Sequence, residues 1–356
     1  MRVIDADAHV YEDTARWTTL HADRPDWLGL IGSGGHTVYA VEGRPYPLQD
    51  GPGRGAPVDA STNPAAAAGA WDVARRLADM DDEGIDVQVL YGSFTIGLTS
   101  YRDAGLAADV ARAYNDWLFH DVCGRDPGRL KGVGGVPLQS VPHAVTEAER
   151  VKAEGAVAVT IPPVLGPRNL DDPALLPFFE ACAALDLAVA VHGAPGMHLE
   201  LPGAGRFTNY AQVHALSFPV DQMVAFTALT MGGVLDRFPT LRVAFLESGI
   251  GWVPYFVHRV HEHYEKLPGM LPGMRSDARA LIERGQCYFS FECEERQLEE
   301  YVRHLGDTSI VWASDYPHWD SDFPGTVAEV LPRAEVLGEV GVSRVLGANA
   351  ARLYGL

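Results

Sequence analysis

The sequence predicts an α/β fold, a (β/α)8 TIM barrel with a long loop insertion after strand one. Eight β-rich runs alternate with helix-patterned stretches along the 356 residues. Several of those runs are continuously apolar, as expected of parallel strands covered on both faces. A doubly wound open sheet is the competing architecture. It is weakened because no Gly-rich phosphate turn follows an early strand; "GSGG" at 32–35 falls in a loop. With 47% hydrophobic residues the chain can bury a large core, and residues 1–356 are read as a single barrel domain.

The first strand lies in "VIDADAHVYE", residues 3–12. Successive strand side chains alternate faces, so Asp5, Asp7 and His9 are expected to point the same way. Residues 29–70 contain "GLIGSGGH", "GRPYPLQDGPGRGAP" and "NPAAAAGA", and the 10–70 excursion reads as a loop or flap. "WDVARRLADMDDEGID" has Val73, Leu77 and Met80 on one helical face and ends near Gly84. The second strand is "DVQVLY" (86–91), and a helix follows over 109–122. The remaining strands are placed at 130–138, 156–163, 187–193, 241–247, 287–292 and 309–315, each followed by helical spacing.

Charge and cysteine usage narrow the class. Lys+Arg 28 against Asp+Glu 47 gives a net charge of −19, which argues against nucleic acid or an anionic membrane as partner. Cys123, Cys182, Cys287 and Cys293 show no C-x-x-C spacing and read as reduced packing thiols of a cytoplasmic protein. There is no basic-then-apolar leader and no apolar run of membrane-spanning length.

In a barrel of this kind the active site lies at the C-terminal ends of the strands. Strand one ends in Asp7 and His9, strand five in His192, strand six in Glu247, strand seven in Glu292 and strand eight in Asp315. Converging so many carboxylates is costly unless a cation or protons compensate. Carboxylate with imidazole is the ligand chemistry of Zn, Fe and Mn.

"DADAH", "VHG", "FLESGIGWVP", "WASDYPH" and the closing "NAARLYGL" resemble the amidohydrolase superfamily, in particular the branch containing aminocarboxymuconate-semialdehyde decarboxylase and the resorcylate-type decarboxylases. The resemblance spans essentially the whole chain. It implies a divalent metal held by Asp7, His9, His192 and Asp315, with Asp315 also handling a proton of metal-bound water or substrate. Those decarboxylases carry a His where this chain has Glu247 in "LESG", and His214 falls where they place a Trp. A carboxylate can bridge two ions, so Glu247, His214 and His318 form a candidate second-metal set. The resemblance further implies that Arg259 reaches into a neighbouring subunit and holds a substrate carboxylate, which makes the protein a homodimer or higher homo-oligomer. His258, His261 and His263 on the same helix read as mainly structural.

Two activities follow as expectations. One is metal-dependent hydrolysis or non-oxidative decarboxylation of a small carboxylate or aromatic substrate, with Asp315, Glu247 and Arg259 as the catalytic residues. The other is a dinuclear Fe/Fe or Fe/Mn monooxygenase on the same fold. The pocket is expected to be built chiefly by the 10–70 and 194–215 loops.

Overall fold

The computed structural model describes residues 1–33, 36–46, 63–193 and 206–356. The parts of the two expected pocket loops at 47–62 and 194–205 lie outside the described residues.

Strand β1 spans Ile4–Val10. The described residues of the excursion after it include regular structure that the Gly and Pro content did not suggest. They contain a short helix, Thr18–Asp23, and a three-stranded antiparallel sheet of β2 (Leu28–Ser33), β3 (His36–Val41) and β4 (Arg44–Tyr46). The β3–β4 hairpin turns through Glu42 and Gly43, both with positive φ (54° and 71°). That backbone matches the twist of tight two-residue hairpins. Val41, Tyr46, Trp17 and Trp27 anchor this subsheet in the main core, with the two indoles stacked at 5.7 Å.

The eight expected barrel strands are all present. After β1 they are β5 (Val87–Gly92), β6 (Leu130–Gly135), β7 (Ala158–Ile161), β8 (Ala188–His192), β9 (Val243–Leu246), β10 (Cys287–Phe291) and β11 (Ile310–Trp312). They form one parallel sheet in that order. The ring closes where the Asp315 amide donates to the Asp7 carbonyl at 3.1 Å and the His9 amide to the Tyr316 carbonyl.

Alternation sorts the strand residues into two layers. Val87, Val89, Ala188, Ala190, Ala244 and Val311 fill the barrel interior. Val189, Val191, Phe245, Phe289 and Trp312 face the helices. The closing "NAARLYGL" is more than a helical tail. Helix Asn349–Tyr354 sends Ala350, Leu353 and Tyr354 into the interior cluster, and the Tyr354 hydroxyl donates to the Ala6 carbonyl at 2.9 Å. It plugs the end of the barrel opposite the strand-end groups.

The expectation for β1 needs one correction. Ile4 pairs with Val87 and Asp5 with Gln88, but Ala8 then pairs with Leu90, so β1 spends three residues where β5 spends two. This bulge puts Ala6 and Asp7 both inward. Asp7 and His9 face the interior, whereas Asp5, before the bulge, points to the helix-facing layer.

Helix Val73–Glu83 is capped by Asp72, whose carboxylate accepts from the Ala74 and Arg75 amides, and ends at Gly84 with φ 73°. Its most buried face includes Arg76 and Asp79 as well as Met80. The expected Val73–Leu77 stripe is only partly buried. The long helix Tyr210–Met231 begins before the expected pocket loop ends, so His214 sits on its second turn. Among the described residues no helix is long and apolar enough to cross a membrane. All four cysteines are free and buried, and burial pushes the Cys123 thiol up to about 12.

Candidate metal centre

The strand ends converge as the alternation demands. His192 continues the inward series Ala188–Ala190 of β8. Asp7 and His9 enter from β1 past the bulge. Glu247 is different, because inward Leu246 precedes it and strict alternation would turn it outward. Its left-handed backbone (φ 54°) re-aims it, held by the Ser290 hydroxyl accepting its amide at 2.9 Å. Asp315 also has positive φ (52°). Such conformations are uncommon for non-glycine residues and collect at functional sites.

His9 Nε2 lies 3.4 Å from Asp7 Oδ1 and 3.4 Å from Asp315 Oδ1. His192 Nε2 lies 3.2 Å from Asp7 Oδ2. The His192 Nδ1 is 2.7 Å from the Gly193 carbonyl, which fixes the ring and turns Nε2 toward Asp7. Glu247 Oε2 approaches His192 Nδ1 at 3.5 Å. His318 Nδ1 lies 2.8 Å from Asp315 Oδ1 and 3.6 Å from Glu247 Oε1. Two overlapping donor sets result: Asp7, His9 and His192, and His9, Glu247, Asp315 and His318.

The donors fit a cation. Asp7 Oδ1, His9 Nε2 and His192 Nε2 are buried with no hydrogen-bond partner. Orphaned buried polar atoms are expensive, and three of them aimed at one another are relieved together by one ion. Tyr91 packs beneath, its ring 5.9 Å from His9 and 5.4 Å from His192.

Without a cation the charges compete for protons. Burial raises the Asp7 carboxyl, against the pull of His192. Burial lowers His9 well below the usual imidazole range, reinforced by His318 and His192. Burial opposes charging of His192, but Asp7 and Glu247 beside it win and lift it to about 9. Burial together with neighbouring Glu247 raises Asp315 well above the carboxylate range, although His318 opposes this. Glu247 moves the other way: burial raises it, but His192 and His318 more than compensate.

The mouth above these groups is a cavity of about 260 Å³ lined by His214, Glu247, Glu292, Asp315 and Asp320, among others. His214 thus faces the same cavity as Glu247, but outside the two donor sets. A larger groove of about 910 Å³ runs outside the barrel past His258 and His261. It holds none of the strand-end groups, and His261 there pairs with Asp277 at 3.2 Å. Arg259 lies on the outer helix Val253–Lys266, exposed and 3.3 Å from Glu262, away from this chain's own donors.

Three residues escaped the sequence reading. Ser93, just past β5, places its hydroxyl 3.1 Å from His318 Nε2. Asp320 lines the mouth. Arg76 reaches the barrel from outside, donating to the His9 carbonyl and to Gln88. Only Ser93 was within reach of a strand-end rule, because it follows an inward-facing strand directly.

The chain matches the family model described as Amidohydrolase over residues 4–356. The chain belongs to the amidohydrolase family. It is 27% identical over 290 residues to a 2-amino-3-carboxymuconate-6-semialdehyde decarboxylase of Dictyostelium discoideum, covering 80% of this chain and 77% of that one. Its fold is similar to that of a crystallised amidohydrolase from Mycobacterium avium subsp. paratuberculosis K-10, with TM-score 0.80 and 20% identity, covering 100% of this chain and 98% of the other. It is also similar to a dihydroxybenzoic acid decarboxylase from Polaromonas sp. JS666, crystallised with manganese and 2-nitroresorcinol, with TM-score 0.72 and 20% identity, covering 100% and 97%. Nothing in these likenesses supports the dinuclear oxygenase alternative.

Proposed function

We propose that this amidohydrolase is a non-oxidative decarboxylase of a small acid whose carboxylate sits on an aromatic or conjugated carbon. It would work at a divalent cation held by Asp7, His9, His192 and Asp315. The observation that carries the reading is the set of orphaned buried donors, Asp7 Oδ1, His9 Nε2 and His192 Nε2, opposite Asp315. The decarboxylase relatives support the reaction class, and the manganese in the Polaromonas neighbour supports manganese as the first metal to test.

A bound cation would supply Lewis-acid polarisation of a substrate oxygen and a lowered pKa for bound water. The chain's own groups do the rest. Asp315, beside the cation site and 2.8 Å from His318 Nδ1, would relay a proton to the substrate carbon that bears the carboxylate. The carbon–carbon bond then breaks, its electron pair restores the conjugated system, and CO2 leaves. His318 orients Asp315 through their 2.8 Å contact, and Glu247 faces the same space as a second proton carrier. Hydrolysis at the same centre would use the same groups, with water as the attacking species.

A single ion is the reading adopted. His318 is engaged by Asp315 at one ring nitrogen and by Ser93 at the other, so joining a second ion would break one of these contacts. Among the described residues no Lys or Arg lines the 260 Å³ cavity. A further substrate carboxylate would therefore need a cation from elsewhere, which supports Arg259 of a neighbouring copy and a homo-oligomer. Buried free thiols support a cytoplasmic location.

The test is metal analysis of anaerobically purified protein, then a CO2-release assay on hydroxybenzoates and conjugated dienoic acids. One ion per chain and CO2 release lost in Asp315→Asn are expected. One bound ion with no CO2 from any such acid would overturn the reaction; two irons per chain would restore the oxygenase.

A further inference from the structure

Asp5 opens the "DADAH" motif yet takes no part in the donor sets. It is fully buried. The bulge turns it away from the site, onto the seam where the barrel closes. Four donors converge on its carboxylate. The Ser314 amide reaches Oδ1 at 3.0 Å and the Ser314 hydroxyl reaches Oδ2 at 2.6 Å. The Gln88 amide nitrogen donates to Oδ2 at 3.0 Å. The Asp7 backbone amide lies 3.4 Å from Oδ1. One carboxylate therefore grips the main chain of Asp7 and of the residue before Asp315.

The seam needs such a grip. The sheet order begins at β1 and ends at β11, and among the described residues no strand ladder joins those two. Two backbone hydrogen bonds cross it, from the Asp315 and His9 amides. The bulge also takes the Asp7 region out of the regular β1–β5 register. The rest of the network extends the clamp. The Ser314 hydroxyl accepts from the Tyr316 amide at 3.1 Å. Arg76, itself buried, holds Gln88 at 3.0 Å and donates to the His9 carbonyl.

We infer that Asp5 is a positioning residue for the metal centre, fixing the first-strand ligands Asp7 and His9 against the eighth-strand ligand Asp315. The inference rests on the proposed metal site. Residues that orient metal ligands without touching the ion commonly contribute about 10–100-fold to affinity. Asp5→Asn preserves the shape of the side chain, but its amide nitrogen cannot accept, so at least one of the two oxygen positions loses its donors. Ser314→Ala removes the hydroxyl, and with it the link to Asp5 and the acceptor of the Tyr316 amide, while Ser314→Thr restores both.

The experiment is Mn2+ affinity of the metal-stripped full chain by chelator competition, well below the melting temperature, with far-UV circular dichroism to establish that each variant is folded. Asp5→Asn should bind Mn2+ about 10–100-fold more weakly than wild type while keeping the wild-type spectrum. Ser314→Ala should weaken binding in the same direction, and Ser314→Thr should recover it, a pattern that loss of general stability would not give. A folded Asp5→Asn chain with wild-type affinity overturns the inference and leaves the metal site standing. If Asp5→Asn does not fold, the serine pair decides: equal affinities of the Ala and Thr variants overturn it. A wild-type chain that binds no Mn2+, Zn2+ or Fe2+ removes the metal site and this inference together.

Discussion

Glu295 ties together two of the loops that form the mouth. Its carboxylate accepts from the Ile250 amide at 2.7 Å and the Glu292 amide at 3.0 Å. The segments after β9 and β10, which carry Glu247 and Glu292, are thus held to one side chain. Gly249 lies so close that a Cβ there would meet Glu295 Oε2 at 2.9 Å, on a backbone already at φ 66°. Burial raises this carboxyl from 4.5 to about 7, despite the two amides and with Glu294 adding repulsion. Because the folded chain then binds the proton more tightly than the unfolded chain, the associated stability is present below pH 4.5 and lost as pH rises through about 7. Each pKa unit is worth about 1.4 kcal/mol, so the full span is about 3 kcal/mol. Roughly 2 kcal/mol of it falls between about pH 5.5 and about pH 8. In Glu295→Gln this slope disappears. One backbone amide loses its acceptor, at a pH-independent cost of about 1–3 kcal/mol. The assay is urea denaturation of both proteins across that range, with wild-type minus variant stability plotted against pH so that other titrating groups cancel. The difference should shift by about 2 kcal/mol against the wild type as pH rises. Parallel stability profiles would refute the reasoning, and would mean that the two amides keep Glu295 ionised at its ordinary value.

Asp7→Ala should lose most of the bound metal, read by elemental analysis after dialysis, because it removes the carboxylate between His9 and His192; full retention would sink its assignment as a ligand. Glu247→Gln separates one ion from two. A mononuclear enzyme keeps its metal content but loses activity with an altered pH profile, whereas a dinuclear one drops by about one ion per chain because an amide bridges metals poorly. Phe226→Ala should destabilise the fold by about 3–5 kcal/mol in thermal or chemical denaturation, since the ring is fully buried against Phe245 and Phe289 at 5.4 and 6.0 Å. A loss below about 1 kcal/mol would show that this outer layer repacks.

The barrel was legible because its strands are apolar runs separated by helical spacing, and that pattern needs no tertiary knowledge. The strand-end rule also singled out Asp7, His9, His192, Glu247 and Asp315, which the structure distributes over two overlapping sets whose donor atoms lie within 4.8 Å of one another. Parity was where reading failed. A single extra residue in β1 separates Asp5 from Asp7, and nothing in "DADAH" marks that bulge. Glu247 follows a strand end and lines the mouth, but its orientation depends on a left-handed backbone that a Glu rarely adopts. Arg76 was hidden in an ordinary amphipathic helix. Its burial makes sense only once the His9 carbonyl and Gln88 are seen beneath it. The small sheet over 28–46 was obscured by Gly and Pro residues that serve its turns and edges.

Two of these failures, the bulge and Arg76, share a location. The bulge, the positive-φ Asp315 and the buried Arg76–Gln88–Asp5–Ser314 chain all lie at the junction of the first and last barrel strands. A parallel ladder would satisfy the backbone there by repetition, but it would also impose strict alternation on the side chains. Alternation alone would set Asp7 and His9 on the face of Asp5, opposite Ile4 and Ala6, which fill the interior. Breaking the ladder frees Asp7 and His9 to face Asp315, and leaves amides that need acceptors in a place water cannot reach. A buried carboxylate that can accept several of them at once answers that need. The irregular closure and the metal centre are on this view one structural problem, and the polar residues behind the seam are the solution to both.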